Sequence, residues 1–324
     1  MSRFGHGNQK EVIWVILHED AHRADAEGLA AELEYRPPFH WDALLDFLAG
    51  RAIGGVEQVV DASYARTARI RRPNGEEVTG WLRVWHRPEN HALVVYLSPA
   101  LLPVSEQVLA RVRRLFDLDC APLVIAEALQ PMNELRPGSF VPGIRVPGCF
   151  DEFELVCRAV LGQQVSVKSA STLATRITQH FGSPIDTGVA GLTHSFPAPT
   201  QVLQLADDIE DQFGRLGVVS ARSRTILALA AALHLGEIDL SHSPDPAREM
   251  QKLLGIRGIG PWTANYIAMR AMAWPDAFLE TDAAIKKALA PRTPRQSLHL
   301  AEAWRPWRSY ATFALWNSLP AISQ

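Results

Sequence analysis

Two short apolar helical segments joined by a glycine-rich turn constrain this chain more than any other feature. Gly255, Gly258 and Gly260 lie between the segments, and Pro261 follows directly. Glycine reaches backbone angles that other residues avoid, and proline suits the first position of a helix, because its missing N–H leaves no bond unmade there. The pattern predicts a helix, a tight hairpin and a second helix whose N-terminal N–H groups attract an anion, and a phosphate fits best. The two predicted helices are residues 246–254 and 263–273.

An aspartate follows the hairpin at a short distance. Asp282 lies 22 residues after Gly260, directly before a predicted helix that starts at Ala283. Judged by position alone, the more common interpretation is structural: Asp282 is an acid in the first turn of a helix, and Thr281 is the N-cap. A turn that contains glycine is likewise a common connection between helices. These residues by themselves therefore leave a structural and a functional interpretation open.

Two longer motifs decide between the interpretations by resemblance. The segments Gly258-Ile-Gly-Pro-Trp-Thr-Ala-Asn-Tyr266 and Trp304-Arg-Pro-Trp-Arg-Ser-Tyr310 resemble the helix-hairpin-helix DNA glycosylases, and the similarity extends from about Leu33 to Trp316. Within this family the chain is most similar to the members that remove alkylated bases. The resemblance implies an enzyme that flips a base such as 3-methyladenine or 7-methylguanine out of duplex DNA, hydrolyses its N-glycosidic bond and leaves an abasic site.

The same resemblance implies that Asp282 is the catalytic residue. Cleavage of the N-glycosidic bond builds positive charge on the sugar, and a carboxylate held nearby stabilises that charge and orients or deprotonates the attacking water. Bifunctional relatives carry a lysine nucleophile directly after the hairpin, where this chain has Trp262. Tryptophan cannot form a Schiff base with the sugar, so we expect no lyase activity.

An aromatic pocket for the flipped base is a further implication of the resemblance. An electron-rich cleft attracts a cationic alkylated base, although aromatic residues at helical spacing more often indicate core packing. Two pocket tyrosines of the relatives are replaced here by Ala283 and Asn317, which predicts a roomier or more polar pocket on that side. The aromatic pocket positions correspond to Phe47, Trp262, Tyr266 and Trp316.

The loop at residues 161–166 resembles the family's wedge, which fills the gap left by a flipped nucleotide. Gln164 occupies the wedge position. From there an amide can fill the gap in the base stack and hydrogen-bond the base that has lost its partner. An ordinary polar loop between helices is the alternative. The hairpin N–H groups and the Thr263 hydroxyl are candidates for phosphate contacts. The predicted DNA-binding residues are Gln163, Gln164, Val165, Ser166, Gly258, Gly260 and Thr263.

Ion binding is expected only in a structural role. In the family a monovalent cation often lies on hairpin carbonyls, and the matching positions here are Leu254, Ile256 and Ile259. No cofactor is expected, because no grouping of histidine, cysteine and glutamate suggests a catalytic metal. The three cysteines of the chain are too few for an iron–sulfur cluster.

Strand and helix signals predict an α+β fold. Residues 63–72, 77–86 and 91–97 have the pattern of strands, with a hairpin signal at Asn74-Gly75, whereas helix signals dominate beyond Asp119. We predict a small antiparallel-sheet N-terminal domain followed by two all-α lobes, which carry the helix-hairpin-helix motif and a DNA-binding cleft. The predicted boundaries are 31–118 for the sheet domain, 147–274 for the helical domain with the hairpin, and 119–146 with 275–324 for the lobe that carries Asp282.

The two ends of the chain are predicted with different detail. Residues 1–30 have no recognisable role, and a flexible tail, an extra helix over residues 24–34 and an upstream start codon are the open interpretations. At the other end, residues 298–316 are predicted as one long helix.

Bulk composition limits the function classes without selecting one. A formal net charge of −3 over 324 residues does not indicate a nucleic-acid partner, so DNA binding must use a local patch and helix ends. The cysteine usage and the lack of a long apolar run predict a cytoplasmic protein without a membrane segment, and we expect a monomer. Besides an alkylbase glycosylase, two alternatives fit: a non-catalytic helix-hairpin-helix DNA-binding protein, and a glycosylase for oxidised or deaminated bases.

Overall fold

A six-stranded antiparallel sheet occupies the N-terminal part of the fold. The computed structural model describes residues 13–15, 29–241 and 243–319. The strands are β1 (Ile13–Val15), β2 (Leu29–Glu34), β3 (Glu57–Val60), β4 (Ser63–Arg71), β5 (Glu77–Arg87) and β6 (Ala92–Leu97). Their order in the sheet is β1-β2-β6-β5-β4-β3, and every neighbouring pair is antiparallel. The predicted hairpin joins β4 to β5, and Gly75 in its turn has a φ of +87°, a region that favours glycine.

Helices dominate the chain after the sheet, as predicted. Two helices belong to the sheet region: α1 (Trp41–Ala49) and α2 (Ser105–Leu115). Within the described ranges, no helix combines the length and the apolar composition that a membrane crossing requires. The later helices are α3 (Pro122–Leu129), α4 (Met132–Leu135), α5 (Glu152–Leu161), α6 (Val167–Phe181), α7 (Pro199–Leu203), α8 (Ile209–Gly214), α9 (Ser220–His234), α10 (Pro246–Leu254), α11 (Pro261–Arg270), α12 (Ala283–Ala288), α13 (Pro294–Ala301) and α14 (Arg308–Asn317).

Part of the N-terminal segment, for which a flexible tail was one interpretation, lies in the sheet. Strand β2 starts at Leu29 and pairs with β1 on one side and β6 on the other. The alternative of a helix over residues 24–34 is therefore wrong from Leu29 onward, and residues 24–28 lie outside the described residues. Alanine, leucine and glutamate favour helices, but Ala30, Ala31 and Leu33 are at most 2% exposed. Their burial in a paired strand outweighs that preference.

The predicted helix over residues 298–316 is two helices. Helix α13 ends at Ala301 and α14 begins at Arg308. Pro306 lies between them, and a proline inside a helix removes one hydrogen bond and clashes with the preceding turn. The prediction of one continuous helix is therefore wrong.

Two buried apolar clusters organise the described residues. The first combines one face of the sheet with α1, α2 and the C-terminal helices, and it includes Leu82, Val108 and Phe313. The second packs the helices of the middle region, and it includes Val160 and Ile267. The last helices of the chain therefore pack into the same core as the N-terminal sheet. The predicted α+β class is confirmed, whereas the domain boundaries stay a prediction.

Candidate active site

The hairpin, the loop between α5 and α6 and the start of α12 surround one cleft of about 880 Å³. Segments more than 100 residues apart in the sequence meet in its wall. All but one of the predicted base-pocket, DNA-binding and catalytic residues line it. Those residues are Gln163, Gln164, Val165, Ser166, Gly258, Gly260, Trp262, Thr263, Tyr266, Asp282 and Trp316.

Asp282 caps helix α12 with its own side chain. One carboxylate oxygen, Oδ1, accepts the backbone N–H groups of Ala284 at 2.9 Å and Ile285 at 3.1 Å. Asp282 is therefore the N-cap itself, and the assignment of that role to Thr281 is wrong. The cap fixes the carboxylate at the first turn of α12, because two N–H groups that lack partners in the helix point at it.

Two indole groups complete the environment of this carboxylate. Nε1 of Trp316 donates to Oδ1 of Asp282, and Nε1 of Trp262 donates to Oδ2, each at 3.1 Å. Together with the two backbone groups, four neutral N–H donors hold Asp282. Neutral donors orient a carboxylate without cancelling its negative charge, so that charge stays available to a cation in the cleft.

Aromatic rings form one wall of the cleft. Trp262 and Tyr266 lie one turn apart on α11, and their rings stack with centroids 5.3 Å apart and planes at 9°. The ring of Trp316, on α14, lies 6.5 Å from that of Tyr266 at an angle of 42°. These three side chains line the cleft, and their role as a pocket for a base stays a prediction.

Phe47 is the exception, because it lies behind this wall. It is 5% exposed and stacks on Trp316 with centroids 6.4 Å apart. The guanidinium carbon of Arg51 lies 3.8 Å from the centroid of the Phe47 ring, and it is Arg51 that lines the cleft. A cation therefore replaces a phenyl ring at this position of the cleft surface. Arg51 was not among the predicted site residues, although it lies four residues after Phe47, a spacing at which side chains at a helix surface meet.

Several charges near the aromatic wall influence one another. Burial, reinforced by the guanidiniums of Arg270 and Arg158, lowers the pKa of Arg51 to about 10 against the opposing charges of Tyr266 and Asp282. Arg51 is therefore cationic at neutral pH. Burial alone would raise the pKa of Tyr266, but the three guanidiniums outweigh it and the pKa lies below its usual value. The Tyr266 hydroxyl accepts a hydrogen bond from Arg270 at 2.9 Å, so its own proton is free for another acceptor.

A buried ion network lies behind Arg158, a second arginine in the cleft lining. Its guanidinium contacts Glu57 at 2.6 Å and Glu154 at 3.2 Å. Glu154 also pairs with Arg66 at 2.6 Å, and the side chains of Glu57, Glu154 and Arg66 are at most 5% exposed. The network joins β3 and β4 to α5. Only the Glu154–Arg158 pair is local, at a spacing of four residues, and the pairing of α5 with Glu57 and Arg66 could not be predicted from a local pattern.

The two hairpin glycines serve different purposes. Gly258 has a φ of +97°, and a Cβ atom there would lie 2.1 Å from Oγ1 of Thr225. Gly260 has an extended backbone, and no atom lies within 4 Å of its Cβ position. Within the described part of the chain, the N–H groups of both glycines donate to no acceptor. With Pro261 in the first position of α11, as predicted, these donors remain available for an anion.

Gln163 ties the α5–α6 loop to the hairpin. Its amide Nε2 donates to the carbonyl of Gly258 and to Oγ1 of Thr263, each at 2.9 Å. Thr263 is 3% exposed, so its hydroxyl links the two loops. Ser166 caps α6 by accepting the N–H of Ser169 at 3.2 Å. Three of the predicted DNA-binding side chains therefore shape the cleft edge.

Gln164 and Val165 form the exposed tip of the same loop. Gln164 has a φ of +56°, a left-handed conformation that residues other than glycine adopt uncommonly. Val165 is 37% exposed although it is apolar. The loop thus holds one amide and one aliphatic side chain at the mouth of the cleft, which suits the predicted wedge.

The hairpin carbonyls fit the predicted monovalent cation. Ile256 O accepts the N–H of Ile259 at 3.0 Å, and a carbonyl oxygen has a second lone pair. In the ranges that the structure describes, the carbonyls of Leu254 and Ile259 accept no hydrogen bond. The same ranges hold no group of three His, Cys, Asp or Glu side chains placed to bind a metal. The cation itself stays a prediction.

Two arginines of helix α9 have partners within the protein. Arg222 donates to the carbonyl of Gln163. Arg224 pairs with Glu210 at 2.7 Å on the surface. Arg222 therefore supports the wedge loop, and an exposed pair such as that of Arg224 contributes little to stability.

Comparison with known proteins adds independent information. The family model described as AlkA N-terminal domain matches residues 30–151. The chain is 38% identical over 284 residues to DNA-3-methyladenine glycosylase 2 of Escherichia coli strain K12, an alignment that covers 88% of this chain and 95% of that protein.

Two solved structures share the fold. The 3-methyladenine DNA-glycosylase from Archaeoglobus fulgidus superposes with a TM-score of 0.73 at 18% identity, covering 88% of this chain and 97% of that chain. The 8-oxoguanine glycosylase/lyase of Clostridium acetobutylicum gives a TM-score of 0.61 at 16% identity, covering 90% and 96%. At these identities the two structures show the fold alone.

Proposed function

The chain belongs to the family of DNA-3-methyladenine glycosylase 2, and from that premise we propose that it excises alkylated bases, of the 3-methyladenine and 7-methylguanine type, from duplex DNA. One observation carries the proposal. Four neutral N–H donors hold the carboxylate of Asp282 in the lining of an aromatic cleft, where its charge is free to act on a cation.

The reaction places the cation on the sugar. As the bond between C1′ and the base nitrogen breaks, its electron pair leaves with the base and positive charge develops on the sugar ring. A carboxylate about 4 Å from a unit positive charge gains roughly 4 kcal/mol at an effective dielectric constant near 20. That energy corresponds to about a thousandfold in rate, so electrostatic stabilisation by Asp282 would supply a substantial part of the catalysis. Water then adds to C1′ and loses a proton, for which Asp282 is the nearest candidate base.

The aromatic wall suits the alkylated base itself. In a nucleotide, 3-methyladenine and 7-methylguanine are cationic, because the methyl group is bound through a lone pair of a ring nitrogen, and the faces of Trp262, Tyr266 and Trp316 attract a cation through their ring quadrupoles. Such a base leaves as a neutral molecule and needs little acid assistance. Asp282 alone can therefore serve a substrate of this kind.

The DNA contacts follow from the two loops at the mouth of the cleft. The N–H groups of Gly258 and Gly260 are donors for a backbone phosphate, and a cation on the hairpin carbonyls would bridge to the same phosphate. Gln164 is the candidate for the side chain that enters the gap left by the flipped nucleotide. Because each of these contacts comes from one chain, we expect a monomer to act on the duplex.

We expect the product to be an intact abasic site. Strand cleavage by a lyase needs an amine that forms a Schiff base with the sugar, and the side chain in that place is the indole of Trp262. The indole nitrogen donates its hydrogen to Asp282 and is not a nucleophile.

The test is an excision panel on defined duplexes. The full chain should release 7-methylguanine and 3-methyladenine, the strand should break only after alkali, and borohydride should trap no covalent complex. A non-catalytic DNA-binding protein would release no base, and a glycosylase for oxidised bases would release 8-oxoguanine instead. A borohydride-trapped complex would contradict the monofunctional assignment.

A further inference from the structure

Arg51 is the charged group in the cleft that the proposed reaction leaves without a task. Its guanidinium lies on the Phe47 ring and lines the same cleft as Tyr266, Trp316 and Asp282. A cation is unexpected in a pocket for cationic bases, because two like charges in a poorly solvated site repel each other. Its presence therefore indicates a second class of base.

The hydrogen bonds of Arg51 leave most of its donors unused. Across residues 29–241 and 243–319, its guanidinium makes one hydrogen bond, from Nη1 to the carbonyl of Phe47 at a long 3.4 Å. In the same ranges no carboxylate lies within ion-pair distance of it, whereas Arg158, in the same lining, contacts both Glu57 and Glu154. A guanidinium has five N–H donors in a planar fork. Arg51 therefore presents several free donors to the cleft.

We propose that Arg51 determines specificity by donating hydrogen bonds to a carbonyl or ring nitrogen of the departing base, which favours neutral bases that leave as anions. This inference rests on the proposed glycosylase function and deepens it. The two classes of base differ in where charge ends when the bond to C1′ breaks. A cationic base receives the electron pair and becomes neutral, whereas a neutral purine becomes an anion until it takes up a proton from solvent. Water adds to C1′ in both cases and releases one proton.

Geometry supports the assignment to the base and not to the sugar. Arg51 is packed against the aromatic layer formed by Phe47 and Trp316, and the ring of Tyr266 lies beside Trp316. Asp282 contacts the same layer through the indole nitrogen of Trp316. A base stacked on this layer would have the carboxylate near its sugar and the guanidinium near its ring. Anionic charge on that ring is stabilised by a charge-assisted hydrogen bond.

The experiment compares two bases at one position of one duplex: hypoxanthine, which is neutral and carries a carbonyl, and 7-methylguanine, which is cationic. Single-turnover release of each base is measured for the wild type and for Arg51→Met, which keeps the length of the side chain without donors. We expect the ratio of hypoxanthine to 7-methylguanine release to fall at least tenfold in Arg51→Met and by a smaller factor in Arg51→Lys. Both release rates of a variant are measured on one preparation of protein. A loss of folded protein therefore lowers both rates by the same factor and leaves their ratio unchanged.

Arg215→Met is the matched control. Arg215 is exposed and does not line the cleft, so its replacement removes one surface cation and should leave the ratio unchanged. A ratio within twofold of wild type in Arg51→Met, or a wild type that releases 7-methylguanine but no hypoxanthine, overturns the inference and spares the proposed function. A wild type that releases neither base overturns the proposed function.

Discussion

Two sets of carboxylates near the cleft are held in opposite ways. Glu57 and Glu154 lie buried behind the cleft lining and contact the guanidiniums of Arg158 and Arg66. Asp282 lines the cleft and is held by two indole and two backbone N–H groups. The guanidiniums neutralise the charge of the buried acids, whereas the neutral donors around Asp282 leave its negative charge uncompensated at the cleft. The type of donor thus distinguishes these buried structural carboxylates from Asp282, the proposed catalytic one.

The largest effect should come from removing the charge at the cleft. In Asp282→Asn, the side-chain oxygen can still cap α12, but no negative charge remains to stabilise the sugar cation. We expect single-turnover release of 7-methylguanine to fall about 10²–10⁴-fold, while the Kd for the damaged duplex stays within a few-fold. A release rate within tenfold of wild type would contradict the assignment.

Removing a buried acid should affect stability. In Glu154→Gln, Arg66 keeps its charge in a buried site without its ion-pair partner, and breaking such a pair costs about 3–5 kcal/mol. Urea unfolding should show this loss in the free energy of unfolding. Glu76→Gln, which removes an exposed partner of Arg72, is the matched control and should have no measurable effect. A change below about 1 kcal/mol in Glu154→Gln would mean that the buried network does not stabilise the fold.

The smallest of the three effects tests the neutral donors. Trp262→Phe keeps an aromatic ring in the wall but removes one of the hydrogen bonds to Asp282. A hydrogen bond to a charged group contributes about 1.5–3 kcal/mol, so release of 7-methylguanine should fall about tenfold or more. Trp41→Phe, which removes an indole donor to the carbonyl of Ala62, is the control and should leave the release rate unchanged. Equal rates for Trp262→Phe and wild type would show that the indole N–H does not position the carboxylate.

Local patterns predicted those parts of the molecule that local physics controls. Gly258 and Pro261 predicted the hairpin, because a positive φ and a missing N–H suit few other places in a chain. The turn at Asn74-Gly75 predicted the pairing of β4 with β5 in the same way. The place of Asp282 was predicted by resemblance, whereas its own role as N-cap, and so the origin of its orientation, was missed.

The parts that failed depend on contacts between distant residues. Strand β2 has a helix-favouring composition, and its pairing with β6, some 60 residues away, decides its structure. Phe47 lies behind the cleft wall because α1 packs against α14, which places the ring centroids of Phe47 and Phe313 4.8 Å apart. Arg158 meets Glu57 across 101 residues of sequence. No spacing rule within one segment contains this information.

Binding of a transition-state mimic tests most directly whether Asp282 faces the sugar. A duplex that carries a pyrrolidine ring in place of one sugar presents a cation there, and a duplex with tetrahydrofuran presents the same shape without charge. If Asp282 faces the sugar, Asp282→Asn should weaken binding of the pyrrolidine duplex at least tenfold more than binding of the tetrahydrofuran duplex. Equal changes in the two Kd values would contradict that placement.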